Sequence, residues 1–501
     1  MDSKQARPAP ILQRAILAVV GLALAAAGLA VIFGRSAWYD EYYTFYITRP
    51  GVPLRELWAG WLRDNHPPLF YFLAWATGWL GPDVPARRLL NLAIGAIAAL
   101  ALWGVARRRQ NLGPLLFWYT LGLGGALPFV VRVAELRSNF LAFAAASVAV
   151  AALVAFGQAP ARRGRDALFL GLSLGVAFTV HLAATIILGC LAVAFGLQEV
   201  LARDWKGARR FAAIVLAASL PFAACMAIQF DTISGNTRSF WIPGGFAAAR
   251  WTIQNEIAAG LHANLPLTIA GMAGIGLLVI QDARDRRVSD DLARVLTLGL
   301  GMGLAIIVLI ALHLQRPFVI GRYLVAVHPV LAMILACGAA AVARAVDRRL
   351  AALIALAVLV GSLAAIHRNV RRTLDLPGWD GTASAIAEEV RACPATVVHP
   401  ALAWNGATMT LAPVDNRAVV PFAYRMVAAR HGFSVADETS RQISRSCPTL
   451  FWAEHVPGPP PTGAELLRSL QAQGYPVTSG KLAQIGDGWI FVSPPADQTK
   501  P

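Results

Sequence analysis

Three stretches of this chain, Ala15–Phe33, Phe211–Phe230 and Leu350–Ile366, run for 17 residues or more without a charged side chain. A helix rises about 1.5 Å per residue, so each stretch is long enough to cross roughly 30 Å of hydrocarbon. Only 14% of the chain is charged and the mean hydropathy is +0.55, against about 25% charged for an ordinary soluble domain. The chain therefore reads as a polytopic α-helical membrane protein. Its first apolar segment is long, without a convincing small-x-small cleavage site before Trp38, and is expected to stay as a helix.

The net charge of +16 does not point to nucleic acid, because of where the charge lies. Basic clusters recur at Arg107–Arg109, Arg162–Arg165, Arg203–Arg210, Arg284–Arg287 and Arg344–Arg349, each between apolar segments. That is the pattern by which cytoplasmic loops set topology. With every cluster inside, the sequence predicts 11 spans, near 12–34, 87–106, 113–131, 139–156, 167–181, 183–200, 211–229, 264–281, 292–313, 323–343 and 350–367. The N-terminus is then cytoplasmic and the segment after His367 lies outside. The fifth span is short and meets the sixth near His181. Left outside are a long first loop, 132–138, 231–264, 313–322 and the tail.

Two domains follow: 1–367, a transmembrane domain with a first outer loop near 35–88, and 368–501, outside the membrane. The tail has Pro punctuation at Pro457–Pro461, strand-like pieces at Ala395–Val398 and Trp489–Val492, and an amphipathic helix at Ala464–Gln473. It reads as a small α/β domain. Cys190, Cys225 and Cys337 fall in apolar spans, where packing suffices as a role. Cys393 and Cys447 are the two cysteines of the tail; in an oxidising compartment they either pair or stay separate thiols.

The first outer loop is far richer than a turn requires. It reads W-Y-D-E at Trp38–Glu41, D-N-H-P-P-L-F-Y at Asp64–Tyr71 and A-R-R-L-L-N at Ala86–Asn91. Asp40 and Glu41 suit either interfacial anchoring behind Trp38 and Tyr39 or general-base work. His66 precedes two prolines that open the short stretch Leu69–Leu80, which is expected along the interface. A helix start there serves structure alone or lets the helix N-terminus and His66 face an anion. Arg87 and Arg88, Glu135 and Arg137, and Arg316 and Arg322 also fall on the outer side. Guanidinium there opposes the insertion bias, and its natural partner is phosphate, donor-bound or in lipid headgroups.

The ordered set continues with A-E-L-R-S at Ala134–Ser138 and G-R-Y-L-x-x-x-x-P at Gly321–Pro329. It resembles the polyprenyl-phosphate-dependent membrane glycosyltransferases of the C-type fold (GT-C), over about residues 10–345. Closest in pattern are bacterial relatives of protein O-mannosyltransferases and of the lipid A aminoarabinose and galacturonic acid transferases. The resemblance implies a catalytic carboxylate at Asp40, with Glu41 beside it. It implies His66, Arg87, Arg137, Arg322 and Tyr323 at the donor phosphate, and Asp64, Glu135 and His181 at the acceptor or in support. Asn65 stands where some relatives carry Glu, which removes a metal ligand; a divalent cation is compatible with the set and not demanded by it.

The implied reaction is transfer of one sugar from a polyprenyl phosphate to an acceptor on the outer face. That acceptor would be lipid A or lipopolysaccharide, another glycolipid, or a protein, and the location a bacterial inner membrane. The rival reading is a transporter or flippase of a lipid-linked sugar. It calls for polar residues in mid-span and symmetry-related broken helices, whereas the charges here gather at outer ends. A scaffold that displays the tail would leave the charged outer loops without a use.

Overall fold

The computed structural model describes residues 10–157, 164–236, 242–401, 416–454, 462–486 and 488–498. They form two compact units. The first runs through Phe33 and resumes over Pro50–Thr373; the second joins Gly34–Arg49 to the chain from Leu374 onward. The first loop of the sequence is thus divided between them.

Nine helices are long and apolar enough to cross a membrane among the described residues. They are α1 (Pro10–Gly34), α5 (Val84–Arg108), α8 (Ser138–Gly157), α10 (Leu182–Leu201), α11 (Trp205–Asn236), α13 (Leu265–Asp285), α14 (Asp290–Gln315), α15 (Val327–Ala345) and α16 (Arg348–Leu374). The segment expected as one span at 113–131 is instead a bent pair, α6 (Gly113–Gly125) and α7 (Leu127–Val133), with 54° between them. Ala126 is extended there, and Pro128 brings no N–H to continue the ladder. The expected short fifth span is α9 (Gly164–Phe178), 15 residues. Between α1 and α5 lie three short helices, α2 (Tyr39–Thr48), α3 (Leu54–Trp61) and α4 (Leu69–Ala76).

The segment read as an outer loop over 231–264 is mostly helical. Helix α11 runs on to Asn236, and α12 covers Phe246–Ala263. Gly245, at φ +93°, makes the break before α12, a conformation that glycine adopts without strain. Arg250 and Glu256 interrupt its apolar pattern, so a hydropathy reading passes it over.

In the first unit α8 and α15 are almost wholly covered, whereas α11 is almost bare. Small residues explain the centre: α15 carries Gly338 and five alanines from Ala336 to Ala343. A Cβ placed on Gly274 of α13 would meet the Gly338 carbonyl at 1.8 Å. The two backbones touch, as small-residue helix contacts in membranes allow. That contact fixes α15, whose N-terminal end follows the 3₁₀ turn Gly321–Tyr323.

The second unit is a four-stranded sheet with helices. Strands β1 (Val397–Pro400), β2 (Thr449–Ala453), β3 (Lys481–Ile485) and β4 (Gly488–Ser493) lie in the order β1-β2-β4-β3. The β1–β2 pair is parallel and the others antiparallel. Its helices are α17 (Asp380–Ala392), α18 (Asn416–Arg430) and α19 (Gly463–Ala472). The last coincides with the expected amphipathic helix and starts in a Thr462–Glu465 capping box. Phe451, Phe491, Leu466 and Leu470 form its core. Cys393 and Cys447 are joined in a disulfide, Cα atoms 5.8 Å apart. The expected Pro457–Pro461 punctuation lies outside the described residues. Helix α2 belongs to this unit: Phe45 stacks on Phe422 of α18 at 6.1 Å, and Tyr42 packs on Trp379 at 5.2 Å.

Candidate functional site

The loop between α3 and α4 carries D-N-H-P-P, and α11 sets its shape. Gln229 Nε2 donates to the carbonyls of Trp61 and Asp64, both at 3.0 Å. Trp61 Nε1 donates to the His66 carbonyl at 2.9 Å. Asn236 Nδ2 reaches Asn65 Oδ1 at 3.0 Å.

Asp64 is the hub of this loop. Its Oδ1 accepts the Asn65 N–H at 2.7 Å and lies 3.4 Å from His66 Nδ1. Its Oδ2 accepts the Tyr71 hydroxyl and lies 3.7 Å from Arg137 Nη1. Arg137 in turn donates to Tyr71 Oη at 3.0 Å. Burial pushes the Asp64 carboxyl up, but the charges of His66 and Arg137 and the hydrogen bonds outweigh it and hold it at about 2. An anion so committed orients His66 and Arg137; it does not accept protons at neutral pH.

Three rings close against this hub. His66 lies 5.2 Å from His181 and 5.9 Å from Tyr323, and His181 lies 4.8 Å from Tyr323, centre to centre. The Arg322 guanidinium sits 5.5 Å from the centre of the Tyr323 ring. His181 caps α10, its Nδ1 accepting the Ala183 N–H at 3.3 Å. The proton of the neutral ring is therefore on Nε2, which is buried and has no hydrogen-bond partner among the described residues. Burial lowers the His181 pKa well below the ordinary value, and His66, Arg137 and Arg322 lower it further. Two guanidiniums, two imidazoles and two phenols thus gather with one part-buried carboxylate. Donors outnumber acceptors, which suits an anion with several oxygens.

Of the residues singled out in the sequence, Asp64, His66, Arg137, His181, Arg322 and Tyr323 meet in this cluster. Arg87 is buried in the first turn of α5 and donates to the Ala74 carbonyl, which ties α5 to α4. Glu135 pairs with Arg132 at 2.7 Å and accepts from Asn139 at 3.1 Å. Asp40 and Glu41 belong to the second unit, in the first turn of α2, where carboxylates favour the helix dipole. Glu41 is fully buried and Asp40 half-buried. Tyr71 was not singled out, although it closes the D-N-H-P-P-L-F-Y motif. Nor was Gln229, whose role depends on a contact 165 residues away. Among the described residues no group of three or more His, Cys, Asp or Glu side chains is placed to hold a metal.

The fold is of the GT-C type, a mostly helical bundle with a small mixed sheet. Solved structures of ArnT from Cupriavidus metallidurans share it. In complex with undecaprenyl phosphate, ArnT aligns over 97% of this chain and 99% of its own, with a TM-score of 0.56 and 14% identity. In the apo state the figures are 95%, 98%, 0.52 and 15%. No family model matches the sequence, and no curated protein matches it with significance.

Proposed function

We propose that this chain transfers a single sugar from a polyprenyl phosphate to an acceptor on the outer face of a bacterial inner membrane. The observation that carries the reading is the cluster of His66, Arg137, His181, Arg322 and Tyr323, in which His181 Nε2 has no hydrogen-bond partner among the described residues. It occurs in a chain whose fold is also that of ArnT, a lipid A aminoarabinose transferase seen with undecaprenyl phosphate.

In the reaction, a bond forms between an acceptor oxygen and the anomeric carbon while the bond from that carbon to the lipid phosphate breaks. The transition state is oxocarbenium-like. The departing phosphate gains negative charge, which His66, Arg137 and Arg322 are assigned to stabilise. Each preorganised donor of this kind is worth about 3–4 kcal/mol. The acceptor hydroxyl gives its proton to a carboxylate. Asp40 holds that role through its W-Y-D-E motif and its partial exposure; Glu41, fully covered, is less open to a substrate. The acceptor class is lipid A or lipopolysaccharide, another glycolipid, or a protein.

Titration of the purified full chain with undecaprenyl phosphate tests the donor half of the proposal. Saturable binding is expected, together with its loss in a His66→Ala, Arg137→Ala double variant that melts like wild type. Equal binding by wild type and variant would remove the cluster from donor recognition.

A further inference from the structure

At Gly321, the first residue of the Gly321–Tyr323 turn, α12 brings in a carboxylate that the proposed reaction does not use. A Cβ built on Gly321 would lie 2.3 Å from Glu256 Oε1. The carboxylate therefore rests against a bare Cα, and any side chain at position 321 would displace it. Consecutive Cα atoms are about 3.8 Å apart, so Glu256 stands one residue step from Arg322.

Its two oxygens are in different situations. Oε2 lies 3.0 Å from His328 Nε2, and the His328 side chain is only 1% exposed. His328 Nδ1 has no hydrogen-bond partner among the described residues. The neutral ring therefore carries its proton on Nε2 and donates it to Glu256. Oε1 has no hydrogen-bond partner among the described residues, and the Glu256 side chain keeps 19% exposure. A carboxylate fixed through one oxygen and open at the other is a preorganised acceptor for hydroxyl groups.

We propose that Glu256, held by His328 and admitted by Gly321, binds hydroxyl groups of the sugar carried on the lipid phosphate. This rests on the transferase reading above. The sugar is bonded directly to the phosphate, so its ring lies within one residue step of whatever grips that phosphate. Arg322 and Tyr323 are assigned to the phosphate, and the adjoining Glu256 then meets the sugar. Hydrogen bonds to ring hydroxyls also strengthen as the transition state forms.

A purely packing role is the alternative to exclude, and Glu256→Gln separates the two. Glutamine keeps the shape and an oxygen for His328 but loses the charge. Two measurements are made on the full chain. One is the affinity for undecaprenyl phosphate, which carries no sugar. The other is restoration of envelope glycans, read by mass spectrometry, in a strain deleted for this chain. Glu256→Gln is expected to bind undecaprenyl phosphate within about two-fold of wild type and to restore glycan at least about ten-fold less well, in line with losing charge-assisted hydrogen bonds. Gly321→Ala, which keeps the carboxylate but displaces it, should show the same split. Full restoration by both variants would overturn the proposal. Parallel loss of undecaprenyl phosphate binding would make Glu256 a prop for the turn, and would overturn it too. A wild-type chain that binds no undecaprenyl phosphate would refute the transferase reading itself, and this inference with it.

Discussion

The ring cluster of the first unit and the acidic pair of the second differ in residue types and setting. In the cluster the groups around Asp64 hold one another. Asp64 gathers Asn65, His66, Tyr71 and Arg137, and Gln229 holds the loop beneath them. Asp40 and Glu41 sit in the first turn of a ten-residue helix, one half-open and one covered. A rigid set of donors suits a ligand group whose charge must be met in place. A half-open carboxylate suits a group that must take up a proton and release it.

The largest effect should come from breaking the second region. Asp40→Asn is expected to lower sugar transfer by about 10²–10⁴-fold, the usual worth of a general base, with undecaprenyl phosphate affinity within about two-fold. Transfer is read as sugar incorporated into envelope lipid at matched protein amount. Loss confined to Glu41→Gln would move the base by one residue. Breaking the first region should do the reverse: Arg137→Ala, and separately Arg322→Ala, should weaken undecaprenyl phosphate binding by about 3 kcal/mol, or roughly 10²-fold. Unchanged affinity in both would take the guanidiniums out of donor recognition.

How much of this was legible beforehand follows from the range of the interactions. Membrane helices announce themselves, because about 20 apolar residues in a row have few other uses. The spans therefore fell on helices, and the bend at Pro128 was the main departure. The motif order also gave most of the cluster, since Asp64, His66 and Tyr71 are local to one loop. Gln229, Glu256 and His328 escaped because their meaning arises from contacts 72 to 168 residues distant. A lone glutamine or glutamate in an apolar stretch carries no sign of its partner. The division of the first loop between two units was equally hidden: Trp38 and Tyr39 read as interfacial anchors, and nothing local in the sequence ties Tyr42 and Phe45 to Trp379 and Phe422.

Two smaller effects sharpen the contrast by stability. Cys393→Ser opens a loop whose ends are 54 residues apart, for which chain entropy allows about 4 kcal/mol at most. The second unit should melt lower while undecaprenyl phosphate affinity holds; alkylation of the non-reduced wild type should find both thiols blocked. The first unit should respond to acid. The Asp64 carboxyl is lowered from 3.8 to about 2 on folding, so its ionised form stabilises the fold. That contribution, about 2 kcal/mol, is present above about pH 4 and is lost as pH falls toward 2. Thermal melts across this range should show the loss in wild type and a flatter profile in Asp64→Asn. Identical profiles would mean that Asp64 does not couple to folding as described.

The most direct test of the central claim is mass spectrometry of envelope lipids and glycans from a strain deleted for this chain. The account predicts that one sugar mass disappears from an outer-face acceptor, returns with the wild-type chain and does not return with Asp40→Asn. Glycans identical to the parent strain would contradict it.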